Sequence, residues 1–342
     1  MRAPSNLGDL HPHALQRIGN TPLLRLQRAV SEVPGAEIHV KAEWTNPGGS
    51  VKDRAAAAIV EAAWRTGSLS RERTLVDATS GNTGISYAML GSALGFAVQL
   101  VVPANVGLER RKLLEVLGAQ IVWTDPMQGM DLAIDTAREL AAREPHRTFY
   151  ADQYDNDANW RAHYEGTGAE ILAQTGGRLT HFVAGLGTTG TFVGTVRRLR
   201  DAGVQARCVA VIPDSPYHGL EGLKHMPTAH VPGIYDPALA DEVQEVGTEE
   251  AYAMVQHLAR HEGLLVGPSG AGAVAVARRL AQRDGPGTYV VVVPDSMMKY
   301  LSDPLLSGGD AEGKRTGRDA DAEGAEAKTR RGVEGNATEV RR

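Results

Sequence analysis

The chain has one cysteine, Cys208, in 342 residues. That excludes an internal disulfide framework and predicts a reducing compartment. Cys208 opens the apolar run 208–212, so a buried structural thiol is expected there. Aromatic residues are scarce, at 5%, and no basic patch is interleaved with them, so the footprint of a nucleic-acid binder is missing. No apolar run approaches the roughly 20 residues that a membrane-spanning helix needs. The start, Met1 to Pro12, carries Arg2 but no apolar segment of the signal-peptide kind. A cytoplasmic protein with no membrane or nucleic-acid partner is the expectation. What is present describes a soluble globular protein, with 42% hydrophobic residues, 23% charged residues and a formal net charge of −5. The length suffices for two medium domains with a substantial core.

Short apolar runs alternate with longer amphipathic or Ala-rich ones. Strands are predicted at 38–42, 74–78, 97–102, 120–123, 148–151, 181–184, 208–212 and 288–293. Helix-period segments fill most gaps, at 85–94, 109–117, 130–142 and 249–261. This alternation predicts an α/β protein with mostly parallel sheets covered on both faces. Ligands in such folds bind at loops beyond the carboxyl ends of the strands. From residue 307 to 342 the composition is Gly, Ala and charges of both signs, without aromatics, and a disordered tail is expected. The sequon Asn336-Ala337-Thr338 falls in that tail and carries no meaning without secretion.

Three stretches carry chemistry. Asn46-Pro47-Gly48-Gly49-Ser50-Val51-Lys52-Asp53-Arg54 places a lysine after a Pro-Gly-Gly turn, at the start of the Ala-rich run 55–60. Burial there disfavours the charged amine, and a neutral amine can form a Schiff base with a carbonyl compound. Taken alone, a surface lysine paired with Asp53 is the plainer reading. Strand 181–184 runs into Gly185-Leu186-Gly187-Thr188-Thr189-Gly190-Thr191 and then a helical segment. The Gly185, Gly187 and Gly190 spacing is that of a dinucleotide loop, and Asp214 ends the next strand where a ribose ligand would sit. The three threonines suit a phosphate monoester equally well, because they add hydroxyl donors to a helix N-terminus. Strand 74–78 likewise leads into Thr79-Ser80-Gly81-Asn82-Thr83-Gly84. A helix cap needs one such side chain. Four of them around two glycines suit a second anion, such as a substrate carboxylate. A phosphate cradle, a carboxylate cradle and one lysine favour pyridoxal phosphate over NAD.

These stretches, with Ile18-Gly19-Asn20-Thr21-Pro22-Leu23, Gln153-Tyr154-Asp155-Asn156 and Gly267-Pro268-Ser269-Gly270, resemble in order the motifs of the cysteine synthase and cystathionine β-synthase family. That family comprises pyridoxal-phosphate enzymes of the second fold type, and the resemblance spans roughly residues 15–306. It implies two doubly wound domains with the cofactor in the cleft between them. Residues 12–45 with 153–306 would form the larger, and 46–152 the smaller. It implies that Lys52 carries the cofactor as a Schiff base and that Asn82 bonds its phenolic oxygen. Gly187, Thr188, Thr189, Gly190 and Thr191 would hold its phosphate, and Ser269 would face its pyridine nitrogen. Thr79, Ser80, Asn82, Thr83 and Gln153 would grip the substrate carboxylate. Lys224, in Leu223-Lys224-His225-Met226, aligns loosely with a phosphate-binding arginine of a phosphoserine-using branch, and a solvated surface lysine is the plainer reading. Thr189 stands where many members carry glycine. Pro294-Asp295-Ser296 resembles the matching strand end of cystathionine β-synthases.

The implied reaction is β-replacement by way of an aminoacrylate. It would form L-cysteine from an O-activated serine (O-acetyl or O-phospho) and sulfide, with Lys52 as the acid-base group. Ser269, a hydroxyl rather than a carboxylate, would favour expulsion of a β-leaving group over transamination. Serine with homocysteine, giving cystathionine, is the alternative within the family, and an NAD(P) oxidoreductase the alternative outside it. No metal is expected. His163, His218 and His225 are expected to be structural or at the cleft rim, and the resemblance implies a homodimer.

Overall fold

The computed structural model describes residues 15–28 and 32–307. Two sheets carry the fold. The larger contains β1 (Leu23–Arg25), β2 (Ala36–Ala42), β7 (His181–Gly185), β8 (Arg207–Pro213), β9 (Glu242–Val246) and β10 (Gly287–Val293), in the order β1-β2-β10-β7-β8-β9. The smaller contains β3 (Thr74–Ala78), β4 (Val98–Pro103), β5 (Gln120–Thr124) and β6 (Thr148–Tyr150), in the order β5-β4-β3-β6. Among the described residues every strand pairing within the two sheets is parallel except that of β1 with β2. β10 shows why. Its last five residues, Tyr289-Val290-Val291-Val292-Val293, are all buried, as helices on both faces of a parallel sheet require.

The eight expected strands recur within two residues at each end. β1 and β9 were not expected. β1 has only three residues, and β9 reads Glu-Val-Gln-Glu-Val along a sheet edge, with polar residues that hide its strand character.

The helices are α1 (Lys52–Thr66), α2 (Asn82–Leu94), α3 (Leu108–Val116), α4 (Gly129–Arg143), α5 (Asp157–Ala162), α6 (Ala169–Thr175), α7 (Gly190–Asp201), α8 (Thr248–Glu262) and α9 (Pro268–Asp284). A π-helical turn, His163–Gly168, joins α5 to α6. Ile59 and Val60 of α1 pack with Leu75, Leu90 and Leu100 around the smaller sheet. Val51, just before α1, packs instead with Phe182, Phe192 and Val290 around the larger one. Lys52 therefore stands at the seam between the two cores. None of the helices among the described residues is long and apolar enough to cross a membrane.

The contacts divide the chain into one unit that runs to Ser302 and carries both sheets, and a second from Asp303 onward. Of the second unit, residues 303–307 are described, with a 3-10 turn at Pro304–Ser307. The rest of the expected tail, and the start at residues 1–12, lie outside the described residues.

Candidate active site

Lys52 is the first residue of α1, and the strand end of β10 fixes it there. The Val51 N–H donates to the Pro294 carbonyl at 2.8 Å, and Ser50 bridges to Asp295. Asp53 does not pair with Lys52. Its fully buried carboxylate accepts from the Gly48 N–H at 2.6 Å and the Ser86 hydroxyl at 2.5 Å, which closes the Pro-Gly-Gly turn onto α1 and α2. The Lys52 amine has no hydrogen-bond or ion-pair partner among the described residues. Burial pushes its pKa below the ordinary lysine value; Asp295 opposes that shift and the Lys299 ammonium adds to it. Two residues on, buried Arg54 is gripped by two carboxylates. Its Nε donates to Glu43 at 2.7 Å and its Nη1 to Glu170 at 2.7 Å, and Lys41 joins Glu170 at 2.6 Å.

A cleft opens beside Lys52. Asn82, Gly185, Gly187, Thr188, Thr189, Thr191, Glu221 and Ser269 are among the residues that line it. They come from the carboxyl ends of β3, β7 and β8 and the first turn of α9, as the switch-point rule for such sheets anticipates. Ser269 stands in the first turn of α9, because Pro268 opens that helix. Its hydroxyl has no partner among the described residues.

The threonine loop is shaped by close approaches. A Cβ on Gly187 would overlap the Gly222 carbonyl oxygen, and one on Gly190 the Asn159 side-chain oxygen. Thr189 sits at φ 70°, a left-handed conformation that costs a β-branched residue about 1–3 kcal/mol. Its buried hydroxyl oxygen has no hydrogen-bond partner among the described residues. Buried Asn159, which sequence reasoning missed, donates to the Gln153 carbonyl at 2.7 Å and the Thr188 hydroxyl at 3.0 Å. It ties two of the expected site segments together. His163 is buried beside the threonine loop. It lies 3.3 Å from the Thr191 hydroxyl and 2.9 Å from that of Thr167, and burial holds it neutral.

The carboxylate-loop residues have internal duties. The Thr79 hydroxyl accepts from the Gly81 N–H at 3.0 Å and the Gly84 N–H at 3.1 Å. Thr83 donates to Gln153 at 2.7 Å, and Gln153 donates to the Ala78 carbonyl at 2.7 Å. Ser80 sits half-buried in the same turn. Lys224 does not line the cleft. Its buried ammonium lies 3.5 Å from Asp131 and donates to the His230 carbonyl at 3.2 Å. His218 accepts from the Leu220 N–H at 3.1 Å, and His225 lies 2.8 Å from the Thr228 hydroxyl. Cys208 is buried, and burial pushes its thiol up to about 12.

Sequence reasoning also missed most of the partners of Asn82. The Lys299 ammonium donates to Asn82 Oδ1 at 2.8 Å and to the Gly48 carbonyl at 2.9 Å. Asn82 Nδ2 donates to Asp295 Oδ2 at 2.7 Å, and the Tyr300 hydroxyl reaches the same oxygen at 2.6 Å. The only signal was the strand-end tripeptide Pro294-Asp295-Ser296; Lys299 gave none.

The family of pyridoxal-phosphate dependent enzymes matches residues 14–295. The chain belongs to that family. It is 45% identical to a cysteine synthase of Aquifex aeolicus over 86% of this chain and 91% of that protein. It is 40% identical to cysteine synthase B of Escherichia coli, over 84% of this chain and 93% of the relative. The solved structure of an O-ureido-L-serine synthase superposes with a TM-score of 0.82 at 37% identity, covering 91% of this chain and 98% of that one. These relatives span the two sheets and the cleft alike, so the expected fold of the second pyridoxal-phosphate type holds.

The residues fit the family's cofactor. An unpaired, desolvated amine stands at one side of the cleft. An orphaned buried threonine hydroxyl and two glycines that tolerate no Cβ form a cradle opposite, the arrangement a phosphate group completes. The Ser269 hydroxyl has capacity to spare.

Proposed function

We propose that this protein is a cysteine synthase, joining an O-activated L-serine to sulfide by replacement at the β-carbon. The observation that carries the reading is the unpaired, desolvated Lys52 amine facing a hydroxyl-lined cleft, in a chain similar to cysteine synthases along most of its length. Lys52 would hold pyridoxal phosphate covalently, while the loop 187–191 would hold its phosphate. Asn82 and Ser269 would meet its phenolic oxygen and ring nitrogen. Bound there, the cofactor supplies an electron sink for charge developing at the substrate α-carbon.

Lys52, its basicity lowered by burial, takes the α-proton and returns it once sulfur has added. The turn 79–84 at the N-terminus of α2 orients the substrate carboxylate, with Thr79 and the Thr83–Gln153 bond holding its shape. Each proton step falls to one amine, so the reaction calls for no histidine in the cleft. On this reading a larger lobe (12–45 with 153–306) and a smaller one (46–152) close on the ligand, and the protein works as a cytoplasmic homodimer.

Lys52→Ala abolishes the visible absorbance of lysine-bound cofactor and the activity together. A purified wild type that stays colourless and gains no visible band with added pyridoxal phosphate refutes the proposal. O-acetyl-L-serine, O-phospho-L-serine and serine, each offered with sulfide or homocysteine, identify donor and acceptor by product analysis.

A further inference from the structure

Asn82 touches the cleft, yet both ends of its amide are already engaged. The Lys299 ammonium can only donate, and the Asp295 carboxylate can only accept. Turning the amide over would press its NH₂ against an ammonium and its oxygen against a carboxylate, so the two charges fix its polarity. Asp295 is fully buried and Lys299 nearly so, and neither charge is screened by solvent. One N–H of Asn82 remains for a ligand, while its oxygen is turned toward the Lys299 ammonium.

We propose that Lys299 and Asp295 are positioning residues that lock Asn82 as a hydrogen-bond donor to the cofactor's phenolic oxygen, keeping that oxygen in its ionised form. The inference rests on the reading above for the cofactor, and adds two residues to it. Asp295 is itself held by the Tyr300 hydroxyl at 2.6 Å. Gly267 lets it lie close, since a Cβ there would overlap Asp295 Oδ1. Without Lys299 only Asp295 sets the amide's polarity, so the turned amide, which presents its oxygen to the phenolic group and favours its protonated form, gains population.

The test is the absorption spectrum of the purified holoenzyme, because ionised and protonated forms of the bound cofactor absorb in the visible and the near ultraviolet respectively. In Lys299→Met the visible-to-ultraviolet ratio falls about tenfold, equivalent to about 1.4 kcal/mol. Lys299→Arg, which also only donates, keeps the ratio within about twofold of wild type. A folded Lys299→Met enzyme with the wild-type ratio overturns the proposal, as does equal loss in both variants. If Lys299→Met does not fold, Asp295→Asn keeps the volume and removes half the lock. A smaller fall, about twofold to threefold, is then expected, and a ratio at or above wild type overturns the proposal. A wild type that takes up no pyridoxal phosphate instead refutes the function proposed above.

Discussion

Replacing Arg54 by methionine tests how the Lys52 end of α1 is held. The guanidinium is 4% exposed and forms two-pronged contacts with Glu43, which is fully buried, and with Glu170. Methionine fills most of the volume but strands Glu43 without its guanidinium and leaves Glu170 with Lys41 as its one cation, beside the Asn20 and Thr21 N–H donors. Breaking a buried ion pair from one side costs about 3–5 kcal/mol, and that is the loss expected at pH 7 in equilibrium urea unfolding followed by far-ultraviolet circular dichroism. The pH dependence is a second readout. Burial raises the Glu170 carboxyl, but Arg54 and then Lys41 outweigh it and hold the group down at about 2, against 4.5 ordinarily. Its stabilisation is complete above about pH 4.5 and fades as the pH falls toward 2. The variant removes the chief cause of that depression, so the gap between the two proteins narrows on acidification. A loss below about 1 kcal/mol at pH 7, or a gap that widens toward acid, refutes the reasoning.

Thr189→Gly relieves the left-handed strain and deletes the orphaned hydroxyl. The cofactor-free chain therefore gains about 1 kcal/mol in urea unfolding, while pyridoxal phosphate binds several-fold more weakly in an absorbance titration. A variant that binds the cofactor as tightly as wild type refutes the cradle. Asp77, fully buried behind Gln153, has its carboxyl pushed up to about 7 from 3.8 by burial, despite N–H donors from Ala78 and Gln153. An acid with a raised folded-state pKa costs stability as pH rises, so this group contributes a decline of up to about 1.4 kcal/mol per pH unit between about 4 and 7. Asp77→Asn flattens that slope in the same assay, and an unchanged slope counts against the assignment.

Much of the site was legible because its chemistry lies in short contiguous segments. Lys52 with its Pro-Gly-Gly turn, and the two polar strand-to-helix loops, announce themselves by local composition, and the parallel strands by continuous apolar runs. The residues that set their electrostatics were not legible. Lys299 reaches Asn82 across 217 positions, and Glu170 reaches Arg54 across 116. No local pattern marks a pairing made only by folding. Lys224 shows the converse. Its motif pointed toward an anion, but the fold turns its ammonium to Asp131 and the His230 carbonyl. β9 stayed hidden for a related reason, because an edge strand needs no apolar run.

The depressed basicity of Lys52 follows from where its helix begins rather than from a dedicated partner. Val51 belongs to the core of the larger sheet, and Ala56 and Ile59 to that of the smaller. A helix that starts at their seam must carry its first side chain into low dielectric. Asp53 stands next in sequence but is committed to Gly48 and Ser86, so the obvious counter-ion is withdrawn. The charges that act on Lys52 are Asp295, which would raise its pKa, and Lys299, which lowers it. They sit on opposite ends of one amide and act in opposite directions, and desolvation is the largest influence. The Lys299–Asn82–Asp295 array therefore orients the amide while its two charges oppose each other at the amine. Polarity at Asn82 thus rests on Lys299 and Asp295, whereas the lowered basicity of Lys52 rests first on desolvation.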